Sequence, residues 1–238
     1  MITLEDINNA TMHINDINIA DYDVLVESFS VDAISVDNDV YQGRNRTNFN
    51  VLATVQHMRK ITVSLFYAAK TRRELALTKS KIDNMLTGKI ELALPDGFFY
   101  SAYLKSAGTE KYLGVENNKI IALCAYTFEG IRHDPLETIQ GDAAIDNAFY
   151  CKSLVPRTDC RLTCTASQAY ASLTIGTVTI TDVLKDDVLT VDGITGRILQ
   201  NGALCAGNMS FIHFPYLTPG ENTIPCDEDL TIEYYPTY

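Results

Sequence analysis

The sequence contains no tryptophan, little positive charge, few histidines and no long apolar segment. Lys and Arg number 19 against 30 Asp and Glu, a net charge of −11, which disfavours the phosphate neutralisation on which nucleic-acid binding depends. The stretch from Met1 to Asn9 lacks the basic start of a signal peptide, and no apolar run approaches the ~20 residues of a membrane helix. We therefore expect a chain made in the cytosol, with no bound DNA and no membrane span.

The six cysteines form no C-x-x-C pair and are too sparse for a disulfide scaffold in a chain of 238 residues. Cys160 and Cys164 alternate with polar residues, so both thiols are expected on the same, buried face of a strand. A zinc site built from Cys151, Cys160 and Cys164 is the alternative, but this spacing matches no zinc finger. The sequence therefore predicts buried core thiols, and it predicts neither a metal ion nor a cofactor.

Residues for catalysis do not group in the sequence. There is no G-x-S-x-G nucleophile motif and no glycine-rich phosphate loop. The histidines at positions 13, 57, 133 and 213 are far apart, and His213 is expected at the surface. Paired carboxylates for glycoside hydrolysis stay open, because their separation is a three-dimensional quantity. The prediction is a protein without enzymatic activity.

Three acidic clusters are candidates for calcium binding, namely Asp37 to Asp39, Asp186 to Asp187 and Asp227 to Asp229. None has the alternating ligands, central glycine and closing glutamate of an EF-hand loop. We therefore expect these clusters to be solvated turns.

The first half of the chain predicts strands and one helix. Thr71 and Glu74 form a capping box before an amphipathic segment, and Gly88 follows its last turn, so a helix is expected over about 72–87. Period-2 alternation indicates strands, and a Pro-Asp-Gly turn at 95–97 indicates a hairpin. The predicted strands are 24–31, 59–67, 90–94, 99–104 and 119–128, with an exposed loop or hairpin over 37–46.

The second half predicts an all-β domain. Residues 129–146 read as a connection, so the domain boundary is placed between an N-terminal domain, 1–146, and a C-terminal domain, 147–238. Strands separated by Gly176, a tight hairpin at Asn201-Gly202 and an alternating last strand at 230–234 suggest a β-sandwich. The fold class is therefore mainly β with one helix, with an α+β first domain and an all-β second domain.

An ordered set of motifs resembles the distal tail protein family of bacteriophages that infect Gram-positive hosts. The set comprises Ile19 to Asp32, Tyr41 to Asn45, Val188 to Asp192, Asn201-Gly202 and the segment Pro215-Tyr-Leu-Thr-Pro-Gly-Glu-Asn222. Each motif alone is common, and the order and spacing over nearly the whole chain carry the resemblance. One departure is Arg46, which stands where family members have a second glycine after Gly43 and Arg44.

The resemblance implies an N-terminal tail-tube-like β-barrel or sandwich with a packed helix and a C-terminal galectin-like β-sandwich. It implies a structural virion protein that forms a hexameric ring at the tail tip and serves as a baseplate hub. The implied partners are further copies of the chain, the tail tube protein, a tail-associated lysin or hub protein, and receptor-binding proteins. DNA would pass through the channel without being bound. Edges of strands such as 59–67 are expected to pair between neighbouring copies.

Two other functions compete with this interpretation. A galectin-like carbohydrate-binding module is suggested by thirteen tyrosines that could stack on sugars, although tryptophan is absent and a lectin would not require the first domain. A hydrolase would need convergent residues that the sequence does not supply. The proline-bracketed segment Pro215 to Asn222 is interpreted as a rigid bend between two strands, not as a binding site.

Overall fold

The structure is a computed structural model, and it describes residues 11–41, 50–205 and 207–238. The chain divides into two compact units, Met1–Arg132 and His133–Tyr238. The loop Gly43 to Arg46, which departs from the family pattern, lies outside the described residues. Each unit has its own buried apolar core.

The N-terminal unit is a sheet with one packed helix and one short 3-10 helix, Ile19–Tyr22. Its elements are β1 His13–Ile14, β2 Ile17–Asn18, β3 Val24–Val31, β4 Val36–Tyr41, β5 Asn50–Gln56, β6 Arg59–Ala69, α1 Arg72–Met85, β7 Lys89–Ala93, β8 Phe99–Ala107, β9 Lys111–Glu116 and β10 Lys119–His133. The main sheet has the order β2-β1-β7-β8-β10-β6-β3, with β9 also paired to β10, and β4 and β5 pair only with each other among the described strands.

Strand β6 is the centre of this unit. Ile61, Val63, Leu65 and Tyr67 alternate with less buried residues and are at most 1% exposed, as the period-2 pattern predicts. Antiparallel pairing with β3 on one side and β10 on the other uses both edges of β6. The expectation that strand 59–67 offers an edge to a neighbouring copy is therefore wrong, and β3 is the terminal strand of the sheet on that side.

Helix α1 begins as the capping box predicts. The Glu74 N–H donates to Thr71 Oγ1 at 3.1 Å, and the Thr71 N–H donates to Glu74 Oε2 at 3.2 Å. Leu75 and Ile82 are buried on the face that packs in the core, and Gly88 has φ 78° after the last turn. Both ends of the helix therefore follow from local sequence.

The boundary between the units differs from the predicted one. The segment 129–146 is not a plain connection, because Glu129 to His133 continues strand β10 and Glu137–Gln140 forms a strand of its own. That strand pairs residue by residue with Thr231–Tyr234 at the end of the chain. The pairing partner is about 90 positions away, so local sequence gave no sign that the second unit begins at His133.

The C-terminal unit is built from short strands and one 3-10 helix, Ala143–Ile145. Its strands are β11 Glu137–Gln140, β12 Phe149–Cys151, β13 Thr158–Thr165, β14 Tyr170–Ile175, β15 Val178–Val183, β16 Val188–Asp192, β17 Arg197–Gln200, β18 Ala203–Leu204, β19 Met209–Phe211, β20 Tyr216–Leu217, β21 Gly220–Asn222 and β22 Thr231–Tyr234. One sheet has the order β11-β22-β13-β16-β17-β18, with β20 also on β13, and smaller sheets pair β14-β15-β19 and β12-β21. The mainly β fold with one α-helix is confirmed for the described residues.

Turn chemistry fixes the hairpins of this unit. Asn201 and Gly202 have φ 54° and 78° between β17 and β18, the left-handed pair that a tight two-residue hairpin requires.

Leu230, Ile232 and Tyr234 are fully buried on one face of the last strand, as their alternation predicts.

The proline-bracketed corner is a bend held by one asparagine. Asn222 Nδ2 donates to the Thr218 carbonyl at 2.7 Å, and Asn222 Oδ1 accepts from the Thr218 N–H at 2.9 Å. Gly220 has φ 92°, which a residue with a side chain rarely adopts. The bend carries the chain from β20, paired to β13, into β21, paired to β12.

Candidate interaction surfaces

The most unusual surface of the N-terminal unit is the two-stranded ribbon β4–β5. Every side chain of β4 is exposed, and so are the described side chains of β5. Several are apolar, with Tyr41 59%, Leu52 64% and Val55 54% exposed. An isolated two-stranded hairpin is marginally stable in water, and clustered exposed apolar residues mark interaction sites. The ribbon therefore has the properties of a contact surface.

Local contacts fasten the base of the ribbon. The His57 N–H donates to the Ser35 carbonyl at 3.0 Å, and His57 Nε2 lies 2.8 Å from Asp37 Oδ2. Asp37 and Asp39 belong to strand β4, so the expectation of a solvated turn at 37–39 is wrong. The bulge between Asp39 and Val40 interrupts the pairing register midway along the ribbon.

A cavity of about 560 Å³ lies beside the base of the ribbon, lined by acidic and basic side chains and by Tyr103. Two of the three carboxylates that line it have side-chain partners: Asp37 contacts His57, and Glu129 accepts from Tyr103 and Lys105. The hydrogen bonds from Lys105 and Tyr103 hold the pKa of Glu129 below its usual value. The ring of His57 thus contacts the Asp37 carboxylate, and its backbone N–H donates to the Ser35 carbonyl. Among the described residues, no nucleophilic side chain contacts the His57 ring.

The other histidines lie at separate places. His13 is in β1, and His133 is buried at the end of β10 with Nδ1 2.8 Å from the Asp134 carbonyl. His213 is exposed, as expected, and its ring lies 5.5 Å from that of Tyr216.

The cysteines predicted to be buried core thiols are buried. Cys160 and Cys164 are 0% and 3% exposed on one face of β13, and Cys151 is 1% exposed. Burial raises the pKa of the Cys160 thiol to about 12, and its Sγ donates to the Pro215 carbonyl at 3.6 Å. Among the described residues no group of three or more His, Cys, Asp or Glu side chains could hold a metal ion.

Each acidic cluster of the C-terminal unit contains one buried, hydrogen-bonded acid, Asp187 or Glu228, whereas Asp186, Asp227 and Asp229 are exposed. Asp187 Oδ2 accepts from the Leu184 N–H at 2.8 Å and from Gln200 Nε2 at 2.7 Å. Glu228 Oε1 accepts from Ser167 and Tyr170. The interpretation of these clusters as solvated turns is therefore wrong for Asp187 and Glu228, both at most 8% exposed. Sequence could not reveal their partners, because the donors lie on other loops and strands.

Two carboxylates, on the strands that flank β13 on either side, lie around Arg161. Arg161 Nε is 3.1 Å from Asp192 Oδ2, and Arg161 Nη1 is 3.3 Å from Glu233 Oε2. These residues are direct cross-strand partners in β16, β13 and β22. The guanidinium occupies the space between the two acids, so this pair is a cross-strand ion pair rather than an acid–base couple.

Aromatic side chains lie beside the proline-bracketed corner and are here called the aromatic ledge: Phe211, His213, Phe214 and Tyr216. The rings of Phe211 and Phe214 are 5.2 Å apart, and Arg157 lies over the Tyr216 ring at 4.4 Å. Ile212, which lies between two residues of the ledge in sequence, is 92% exposed. The corner itself is architectural, whereas the residues before it form an exposed apolar surface.

Charge is divided unequally between the units. The N-terminal unit contains 14 Lys and Arg against 16 Asp and Glu, and the C-terminal unit contains 5 against 14. Their net charges are therefore −2 and −9, so most of the acidity belongs to the C-terminal unit. Such a field favours a basic partner for that unit and repels polyanions.

Comparison with known proteins identifies the fold. No protein-family model matches the chain, and no curated protein matches it. Its structure is similar to the crystal structure of the Dit protein (gp 19.1) of phage SPP1, described as a paradigm of the hub adsorption apparatus in phages that infect Gram-positive bacteria. The TM-score is 0.73 at 12% identity, covering 96% of this chain and 99% of that one.

A second similarity is to chains of the phage P2 baseplate in its activated conformation, solved with Ca and with Sr. Both have a TM-score of 0.54 at 9% identity and cover at least 95% of this chain. At such identities the comparison establishes a shared fold over nearly the whole chain. The fold that the ordered motifs predicted is thereby confirmed. Among the described residues, no helix is both long and apolar enough to cross a membrane.

Proposed function

We propose that this chain is a structural subunit of a phage tail tip, where copies of it form a hexameric baseplate hub ring. The observation that carries the proposal is the fold shared with the SPP1 Dit protein over 96% of the chain. The two-unit architecture is matched as a whole, and no part of either chain of appreciable length is left over. The role is structural, because the described surfaces offer contact area rather than a catalytic group.

Ring formation is attributed to the N-terminal unit. Strand β3 ends the sheet order there, and the exposed ribbon β4–β5 follows it directly along the chain. A terminal strand leaves backbone donors and acceptors for another chain, and the ribbon leaves Leu52 and Val55 without a core. A second copy of this chain would pair with the backbone of β3 and would also cover the apolar side chains of the ribbon. In a closed ring, every copy makes the same contact with its neighbour.

The partners of the ring follow from the same role. The tail tube protein and the tail-associated lysin or hub protein would bind the two faces of the ring, in the virion, after synthesis in the host cytoplasm. The C-terminal unit, with its net charge of −9 and its aromatic ledge, suits receptor-binding proteins that present basic surfaces. The near-balanced N-terminal unit has no basic excess, so genome DNA would pass the ring without being held.

Solution mass tests the proposal. Size-exclusion chromatography with light scattering should give about six times 26.4 kDa, and negative-stain images should show closed rings. A chain that stays monomeric at high concentration, also when mixed with its tail tube protein, contradicts the proposal. Binding of that monomer on a glycan array would instead support the galectin-like carbohydrate-binding module.

A further inference from the structure

Strand β9 is a second terminal strand of the N-terminal sheet. Among the described strands it pairs only with β10, so its outer edge has no described strand beside it. Its side chains Tyr112, Leu113 and Val115 are 53%, 46% and 63% exposed. A terminal strand with exposed apolar side chains is a place at which another chain can add a strand. Strand β9 therefore has the properties of a contact surface, as the ribbon does.

Strand pairing places the outer edges of β9 and β3 on opposite sides of the sheet. Strand β6 pairs with β3 at one edge and with β10 at its other edge, and β9 lies beyond β10. The order is therefore β3-β6-β10-β9, and every pair in it is antiparallel, so β9 runs antiparallel to β3. A neighbouring copy in the same orientation would bring its β9 antiparallel to β3, a direction in which strands pair.

The chain along the β3 edge is acidic. The segment 24–41, which comprises β3, β4 and the residues between them, contains four acids and no Lys or Arg, a net charge of −4. All four acids are exposed, namely Glu27, Asp32, Asp37 and Asp39. This edge of the sheet therefore favours a partner with exposed bases.

A basic group of side chains lies beside β9. The guanidinium carbon of Arg72 is 5.8 Å from the centre of the Tyr112 ring, which places the start of helix α1 next to this strand. Segments 70–73 and 110–116 together contain four bases and two acids, a net charge of +2. Glu74, the next acid in the sequence, is held in the helix cap by backbone N–H groups. The charge beside β9 is thus opposite to the charge along β3.

We propose that segments 70–73 and 110–116, here called the receiving surface, bind the β3 edge and the ribbon of a second copy in the ring. The inference rests on the proposed function, and it names the other half of the contact between copies. A closed ring needs two different surfaces on each copy, because a contact between two identical surfaces joins only two chains. The β3 edge and the receiving surface lie on opposite sides of the sheet and carry opposite charges, as such a contact requires.

Charge exchange between two variants tests the proposal. The edge variant carries Glu27→Lys, Asp32→Lys and Asp39→Lys, which changes the charge along the β3 edge from −4 to +2. The receiving variant carries Arg72→Glu and Lys111→Glu, which changes the charge of the receiving surface from +2 to −2. All five side chains are exposed, so both variants should keep the fold of the single chain.

Light scattering gives the mass of each variant alone and of their equimolar mixture. At concentrations at which the wild type has the ring mass, each variant alone should be a monomer, because surfaces of the same sign then face each other. The mixture should regain the ring mass, since every contact between unlike variants joins an acidic surface to a basic one. The control variant Lys89→Glu with Lys185→Glu changes the net charge as the receiving variant does, at two other exposed lysines, and should keep the ring.

Cross-linking of the wild-type ring needs no variant. A carbodiimide couples a carboxylate to a lysine amine in direct contact, and the two surfaces lie at opposite edges of the sheet in one chain. It should therefore join Lys70 or Lys111 to segment 24–41 of a neighbouring copy. Mass spectrometry of the digested ring should find that linked peptide.

Two kinds of result separate this inference from the proposed function. A wild-type ring that yields no such link, a receiving variant that keeps the ring mass alone, or folded variants that stay monomeric in the mixture would overturn the inference and leave the ring standing. A wild type that stays monomeric, also with its tail tube protein, would overturn both.

Discussion

The ribbon β4–β5 gives the sharpest test of ring assembly. The double substitution Leu52→Thr and Val55→Thr replaces two exposed apolar side chains by β-branched threonines, which favour a strand. Because both side chains are exposed in the single chain, its fold should be unaffected. If a second copy covers the ribbon, the substitutions weaken only that contact.

The expected magnitude follows from the exposed fractions. Full burial of a Leu or Val side chain contributes about 1.5–3 kcal/mol, and Leu52 and Val55 have 64% and 54% left to bury. Covering both therefore contributes about 2–3 kcal/mol to each contact between copies. At 1.4 kcal/mol for each factor of ten, the loss weakens a contact by about 30- to 140-fold. Each subunit of a closed ring makes two such contacts, so the ring should dissociate on moderate dilution.

Light scattering over a dilution series measures this effect. The double variant should elute as a monomer at concentrations at which the wild type keeps its ring mass, with an unchanged circular dichroism spectrum and melting temperature. Leu77→Gln is the matched control, because Leu77 is 54% exposed in the same unit but lies on helix α1. A double variant that keeps the ring mass at every concentration, or a control that loses it, would refute the assignment of the ribbon.

Three further predictions concern stability. Thr71→Ala removes the helix cap and should destabilise the N-terminal unit by about 1 kcal/mol in urea unfolding, an expectation that unchanged stability would contradict. Asn147→Ala removes a fully buried amide that accepts from the Leu230 N–H at 2.9 Å, so the C-terminal unit should lose about 2–3 kcal/mol, whereas a loss below 1 kcal/mol would argue against this role. Burial alone would raise the pKa of Glu228, but hydrogen bonds from Tyr170 and Ser167 lower it. Its stabilising contribution is therefore present above its unfolded pKa and is lost as the pH falls below about 4.5. Glu228→Gln should flatten the acid limb of the melting temperature against pH, and an unchanged acid limb would contradict the linkage.

Local rules predicted the elements of the fold well. The capping box at Thr71 and Glu74 and the Asn201-Gly202 hairpin are formed by neighbouring residues, so the sequence contains all of their partners. The alternation through β6 likewise identifies its buried face before any strand partner is known. These features depend on interactions between residues that are close in sequence, so the sequence alone predicts them.

Strand pairing between segments that are distant in the chain could not be predicted from local sequence. Glu137–Gln140 has no strong strand pattern, and it is a strand because Thr231–Tyr234 lies beside it. The central position of β6 depends on which strands flank it, which period-2 alternation does not encode. The acids Asp187 and Glu228 resemble turn residues in sequence, and only their distant donors make them structural.

The sequence by itself determined the mainly β fold class, helix α1, the hairpin turns and the excess of acid. The order of its motifs also indicated the fold, which the structural similarity to the SPP1 Dit protein confirms. Only the tertiary structure revealed that the ribbon side chains are exposed, that the sheet ends at β3, and that Glu228 accepts hydrogen bonds from Ser167 and Tyr170. Exposure, sheet order and contact between distant side chains are properties of the packed chain, since each depends on residues that the local sequence does not specify.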